Sequence, residues 1–270
     1  MGLKPLLVAA TVFAAVIASS ATGAAAAQPV TLRIVFPEGF TVRQMTGRVA
    51  EVRRIAIRKR GVTPRLTGTA YAAAARQALP PRAFRRFLKR RSVEGFLFPA
   101  LYEFEPRTTA AQLIANQLAA FEYRWRTVRL SPRARRLTPY DIVSIGSMIE
   151  RETVVPSERK LVAAVIYNRL DKRMPLGIDA TLRYGLGVPG TKPLTQRHLR
   201  SNSPYNTRRF RGLPPTPIGN PGLPSLRAAA APADVGYLYY LRRPNSLTHF
   251  FTASAEEFCA KSKEWGYGGC

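Results

Sequence analysis

One short segment, from Thr138 to Pro156, constrains this chain more than any other. Thr138-Pro139-Tyr140-Asp141 is a helix start: a threonine cap, proline at the first helical position, and an acidic residue three places after the cap. No proline follows until Pro156, so the helix is expected to run to about Thr153. Ile145, Met148 and Ile149 then define a buried face, and Glu152 falls between Ile145 and Met148 on it, with Asp141 close to the same line. Glu150 lies roughly 160° away from Glu152 on the same wheel. A carboxylate on an apolar face loses solvation. Its pKa rises, as a general acid working near neutral pH requires. The plainer alternative is that the helix end frays and Glu152 reaches water or pairs with an arginine.

Arginine is certainly abundant. Lys and Arg total 42 against 16 Asp and Glu, a formal net charge of +26 over 270 residues. Such a surface attracts polyanions: nucleic acid, anionic lipid headgroups or acidic wall polymers. The basic residues spread from Arg33 to Lys263, without helix-turn-helix, zinc-finger or RNP spacing, so no specific nucleic-acid partner is expected. The basic stretches 53–65 and 82–91 are either solvated faces or contacts with an anionic membrane surface. His198 and His249 are too few and too scattered for a metal centre. Cys259 and Cys270 cannot make a disulfide framework; they form one local bridge or remain two thiols. No Ser-His-Asp set, Cys-His set or glycine-rich phosphate loop is present, which leaves carboxylate chemistry and no metal or organic cofactor.

Residues 1–28 combine a basic start, an apolar centre (Leu6, Leu7, Val8, Val12, Phe13, Val16, Ile17) and a small-residue run. This is a secretory signal or a membrane anchor, and it places the rest of the chain outside the cytoplasmic membrane.

The remainder reads as an α+β protein in two parts, 29–91 and 92–270. Strands are expected at 31–36, 235–241 and 249–251, the last two as a hairpin around Pro244-Asn245. Helices are expected at 41–57, 70–79, 108–125 and 157–170, and after Ser254. Residues 175–185 read as short extended pieces, and the Pro/Gly/Asn-rich stretch 203–222 as a binding loop.

The segment Met148-Ile149-Glu150-Arg151-Glu152-Thr153, followed by Ser157-Glu158-Arg159 and Val165-Ile166-Tyr167-Asn168-Arg169-Leu170, resembles the MltG/YceG-like endolytic murein transglycosylases. The resemblance continues in order. Glu94-Gly95-Phe96-Leu97-Phe98-Pro99 precedes that segment. Asp179-Ala180-Thr181, Tyr184-Gly185, Ser203-Pro204-Tyr205-Asn206-Thr207, Gly212-Leu213-Pro214-Pro215, Asn220-Pro221-Gly222 and His249-Phe250-Phe251-Thr252 follow it. The resemblance implies a YceG-like mixed catalytic domain preceded by a reduced LysM-like subdomain. It also implies cleavage inside peptidoglycan glycan strands, between N-acetylmuramic acid and N-acetylglucosamine, leaving 1,6-anhydro ends. Glu152 would be the single catalytic carboxylate, acid first and base second. Glu94, Asn168, Asp179, Thr181, Ser203, Tyr205, Asn206 and Thr207 would contact sugar, although each polar side chain has a loop-fixing alternative. His249 reads as structural, for want of a partner that would orient it as a base. Peptidoglycan polymerases are the implied partners. The chain departs from the family pattern at Ala100, Leu101, Gly177, Ala180 and Arg208, which leaves a non-catalytic glycan-binding scaffold as the alternative.

Overall fold

The computed structural model describes residues 30–268. The expected signal or anchor, residues 1–28, lies outside the described residues. Among those described, no helix is long and apolar enough to cross a membrane.

Strand β1 (Leu32–Val35) leads into α1 (Val42–Arg60), which Thr41 opens with a capping box to Gln44 and Gly61 closes at φ +62°. Helix α2 (Gly68–Gln77) follows, then the single turn α3 (Arg82–Arg85) and strand β2 (Leu101–Phe104). β1 and β2 pair antiparallel, Leu32 opposite Phe104 and Val35 opposite Leu101. Alternation puts Leu32 and Ile34 inward, where they meet Met45, Val49, Leu66, Tyr71 and residues from Val93 to Ile114. One core therefore runs across the boundary expected near Ser92.

Helix α4 (Ala110–Trp125), capped by Thr109, buries Leu113, Ile114 and Phe121. Phe121 joins Phe84, Phe96 and Tyr140 in an aromatic cluster that ties α3 and α4 to the second half of the chain. Helix α5 (Pro139–Glu152) starts at the Thr138 cap as the sequence predicts, and all its residues from Tyr140 to Ile149 except Asp141 are buried. It packs between α6 (Arg159–Asp171) and, after α7 (Asp179–Leu186) and the short α8 (Gln196–Leu199), α9 (Leu223–Ala230). Gly146 allows the α5–α9 approach: a Cβ there would lie 3.2 Å from Leu226 Cδ2. A hairpin of β3 (Tyr239–Arg242) and β4 (His249–Thr252) leads to α10 (Ala255–Glu264), capped by Ser254. No free cysteine occurs among the described residues.

The expectation of extended pieces over 175–185 is corrected: α7 is a helix. Its N-cap, Ile178, has no side chain able to cap, so the usual start signal is missing. Thr181 instead bonds back to the Ile178 carbonyl at 2.7 Å.

Asn220 locks the two halves together. Its Oδ1 accepts the N–H groups of Gly95 (3.0 Å) and Leu97 (2.9 Å), and its Nδ2 donates to the Phe40 carbonyl (2.8 Å) and to Glu94 Oε1 (3.0 Å). The amide thus makes the four bonds it can make, all buried or nearly so.

Candidate active site

Two clefts flank α7. The first is lined by Glu152, Arg169, Gly177, Asp179, Arg208, Tyr240 and His249, among others. Glu152 ends α5, and its carboxylate accepts the Tyr240 hydroxyl at 2.8 Å on Oε2. Burial raises its pKa, and the nearby Asp179 adds to the rise; the bonds from Tyr240 and the Ala180 N–H, and the proximity of His249, oppose it. Tyr240 is itself pushed well up by burial and by Glu152, so it stays a donor at any working pH. Asp179 pairs with Arg208 at 2.7 Å, both side chains about half exposed. Arg169 is bound to the Leu238 carbonyl at 2.6 Å and the Leu176 carbonyl at 2.8 Å, which fixes β3 and the α6–α7 connection against α6.

His249 is better placed than the sequence implies. Its Nδ1 lies 2.6 Å from Glu158 Oε2, and its backbone N–H donates to Oε1 at 2.7 Å. Thr153, directly after Glu152, also donates to Glu158 Oε2 at 3.1 Å. Burial alone would raise Glu158, but the bonds from His249 and Thr153 prevail and hold its carboxyl below the usual range. The absence of a partner for His249 is corrected: Glu158 orients it.

The second cleft is lined by Glu94, Arg43, Arg151, Arg183, Tyr184 and Tyr205, among others. Glu94 is 3% exposed and accepts Val42 N–H at 3.1 Å and 3.2 Å, the Tyr184 hydroxyl at 3.1 Å and the Asn220 amide. Burial dominates these bonds and pushes its pKa up to about 8. Tyr184 and Tyr205 meet edge to face at 5.1 Å, and Tyr205 bonds Thr216 at 2.8 Å.

The remaining candidates face the protein. Thr181 and Thr207 are buried and bond each other at 2.9 Å, and Thr207 also receives the Ile178 N–H at 3.0 Å. Asn206, fully buried, donates to the Leu199 and Ser201 carbonyls at 2.8 Å and 2.9 Å and receives the Arg208 N–H. Asn168 donates to the Val235 and Tyr237 carbonyls and accepts from Arg133. Ser203 receives the Tyr205 N–H, and its Oγ would lie 2.7 Å from a Cβ on Gly185. The polar groups of Thr181, Asn206, Thr207 and Asn168 hold the loops that shape the clefts. Glu94, Glu152, Asp179 and Tyr205 do line clefts. Tyr240, Arg169 and Tyr184 also line the clefts; Arg169 and Tyr184 stand in the quoted motifs without an expected site role, and Tyr240 lies outside them.

The model of the YceG-like family matches residues 9–264. This chain belongs to the YceG-like family. The YceG-like chain is 34% identical over 172 residues to an endolytic murein transglycosylase of Bacillus subtilis, covering 63% of this chain and 48% of that protein. It is 26% identical over 225 residues to an endolytic murein transglycosylase of Streptococcus pneumoniae, covering 79% of this chain and 41% of that one. It thus spans less than half the length of either relative. A crystal structure of a YceG-like protein from Listeria monocytogenes superposes with a TM-score of 0.68 at 28% identity, covering 84% of this chain and 75% of that one.

Proposed function

We propose that this YceG-like chain is an endolytic lytic transglycosylase acting on peptidoglycan glycan strands at the outer face of the cytoplasmic membrane. The observation that carries the reading is Glu152: a carboxyl at the wall of a cleft, raised by burial, with one oxygen held by Tyr240. With Oε2 accepting from Tyr240, the protonated acid carries its proton on Oε1 and gives it to the glycosidic oxygen. Cleavage between N-acetylmuramic acid and N-acetylglucosamine then leaves Glu152 ionised. It takes the proton of the C6 hydroxyl as that oxygen attacks C1, closing a 1,6-anhydro ring without water. One carboxylate serves both steps, unlike the paired carboxylates of most glycoside hydrolases.

The β1-α1-α2-α3-β2 order, with β1 and β2 paired, supports reading the front of the chain as a reduced LysM-like unit whose partner strand lies beyond residue 91. Residues 1–28 would export or anchor the chain, the net charge suits an anionic lipid and wall environment, and peptidoglycan polymerases would supply the strands. The Arg208–Asp179 pair inside the Glu152 cleft favours one second reading, a glycan-binding scaffold without turnover, because it occupies a carboxylate there with a residue foreign to the family pattern.

Mass spectrometry of uncrosslinked strands after incubation with the protein tests both. Internal fragments with anhydro ends, absent with Glu152→Gln, support the transglycosylase. Reducing ends would make it a hydrolase. Intact strands that remain bound would leave the scaffold.

A further inference from the structure

The cleft beside Glu94 carries charge that the proposed chemistry does not use. Arg43, Arg151 and Arg183 all line it. None of them makes an ion pair among the described residues. Arg183 gives Nη1 to the carbonyls of Pro189 (3.0 Å) and Lys192 (2.6 Å), which shapes the loop after α7. Arg151 gives Nη1 to the Gly39 carbonyl at 3.2 Å, while its Nε is buried without a hydrogen-bond partner. Arg43 is exposed on the first turn of α1, and its Nη1 approaches Gly187, where an added Cβ would lie 3.5 Å away.

The one carboxyl lining this cleft does not balance them. Both oxygens of Glu94 are taken by Val42, Tyr184 and Asn220. Burial pushes its pKa to about 8, so at neutral pH most of it is uncharged. Three guanidinium groups therefore line a space that, among the described residues, holds no counter-charge at neutral pH. A buried guanidinium N–H without a partner is costly unless something accepts from it. Guanidinium forks suit carboxylates, which take two parallel N–H bonds. The Tyr184–Tyr205 pair adds an aromatic wall. Helix α7 contributes its first residue, Asp179, to the Glu152 cleft and Arg183 and Tyr184 to this one, so a ligand bound in the first has neighbours in the second.

We infer that this second cleft is a carboxylate-binding subsite, which takes a free carboxylate of the peptides borne by the glycan strand through Arg43, Arg151 and Arg183. The assignment of strand peptides rests on the transglycosylase reading; the carboxylate site itself does not.

The test is direct binding to the full chain. Fluorescently labelled uncrosslinked strands are titrated with their peptides intact and with their peptides removed, alongside a free acidic peptide and its C-terminal amide. Intact strands are expected to bind roughly tenfold tighter than stripped ones. Arg43→Glu is expected to abolish that advantage without changing the affinity for stripped strands. Its thermal midpoint should not move, because Arg43 is exposed and makes no ion pair. Equal affinity for intact and stripped strands would overturn the inference, even if the strands are cleaved. So would displacement by inorganic pyrophosphate but not by the free peptide, which would make the site one for phosphate. Free-peptide binding that needs Arg43 and the terminal carboxylate, in a protein that cuts no strand, would keep the subsite and sink the transglycosylase.

Discussion

His249 and Glu158 form a buried pair, 2.6 Å apart with both side chains 8% exposed, that pins the β3–β4 hairpin to the start of α6. The pair sits behind Glu152, because Thr153 bonds the same Glu158 oxygen and Tyr240 packs against the His249 ring at 5.6 Å. Removing one partner strands the other away from water. Glu158→Gln is expected to cost about 3 kcal/mol. The double variant Glu158→Gln/His249→Gln should cost less than the sum of the single changes. Additive losses in denaturant unfolding would show that the two side chains do not act as a pair.

Glu152→Gln keeps the shape and the Tyr240 contact but removes the titratable proton. Activity on glycan strands should drop by roughly 10²- to 10⁴-fold, the usual contribution of a general acid or base, with the melting temperature little changed. Residual activity close to that of the parent protein would move the chemistry to another carboxyl.

The pH dependence should respond in opposite senses to two neighbours of Glu152. Tyr240 favours the ionised form, so Tyr240→Phe should raise the Glu152 pKa and carry the alkaline limb of kcat upward. Asp179 disfavours the ionised form, so Asp179→Asn should draw the same limb downward. Matched pH–rate profiles decide it, and shifts of one sign in both variants would contradict the assignment of Glu152 as the acid.

Glu94 makes stability depend on pH. Its carboxyl rises from 4.5 to about 8 on folding, so between those values the folded protein holds a proton that the unfolded chain has released. Stability therefore falls as pH rises through that window. Glu94→Gln mimics the protonated acid and can keep the bonds to Val42, Asn220 and Tyr184. Urea midpoints of the variant should decline less between pH 5 and pH 8 than those of the parent.

Gly95 adopts φ +92°, and a Cβ there would lie 2.6 Å from the Pro217 ring and 2.9 Å from Val143 Cγ1. Neither neighbour is the free end of a flexible side chain. Gly95→Ala should cost at least about 2 kcal/mol, from backbone strain and overpacking together. Calorimetry would expose a milder effect.

Capping chemistry was legible at Thr138 and Ser254, which begin α5 and α10. Apolar spacing predicts the helices over 41–57 and 108–125, which the structure starts at the Thr41 and Thr109 caps. The phase of α5 also separated Glu152 from Glu150: the first lines a cleft, and the second receives the Gly222 N–H at 2.9 Å. Helix α7 carries little sequence signal, because it is eight residues long and its N-cap is an isoleucine. The polar motif residues were harder to read for a different reason. Their composition advertises hydrogen bonds, but only the fold decides that Asn206 and Thr207 spend them on nearby backbone and side chains. Tyr240 was invisible as a partner of Glu152, since 88 residues separate them and no local pattern links a strand hydroxyl to a helix end.

Asn220 sets how far this protein can be taken apart. Its amide joins Phe40 from the first part to Glu94, Gly95 and Leu97 from the second, and among the described residues β1 pairs with β2 alone. A fragment begun at Ser92 would leave β2 unpaired, deprive Glu94 of the Val42 N–H, and lose Arg43. A swap of the first part between relatives would therefore have to carry the residues around Glu94 and Asn220 with it to leave both clefts intact.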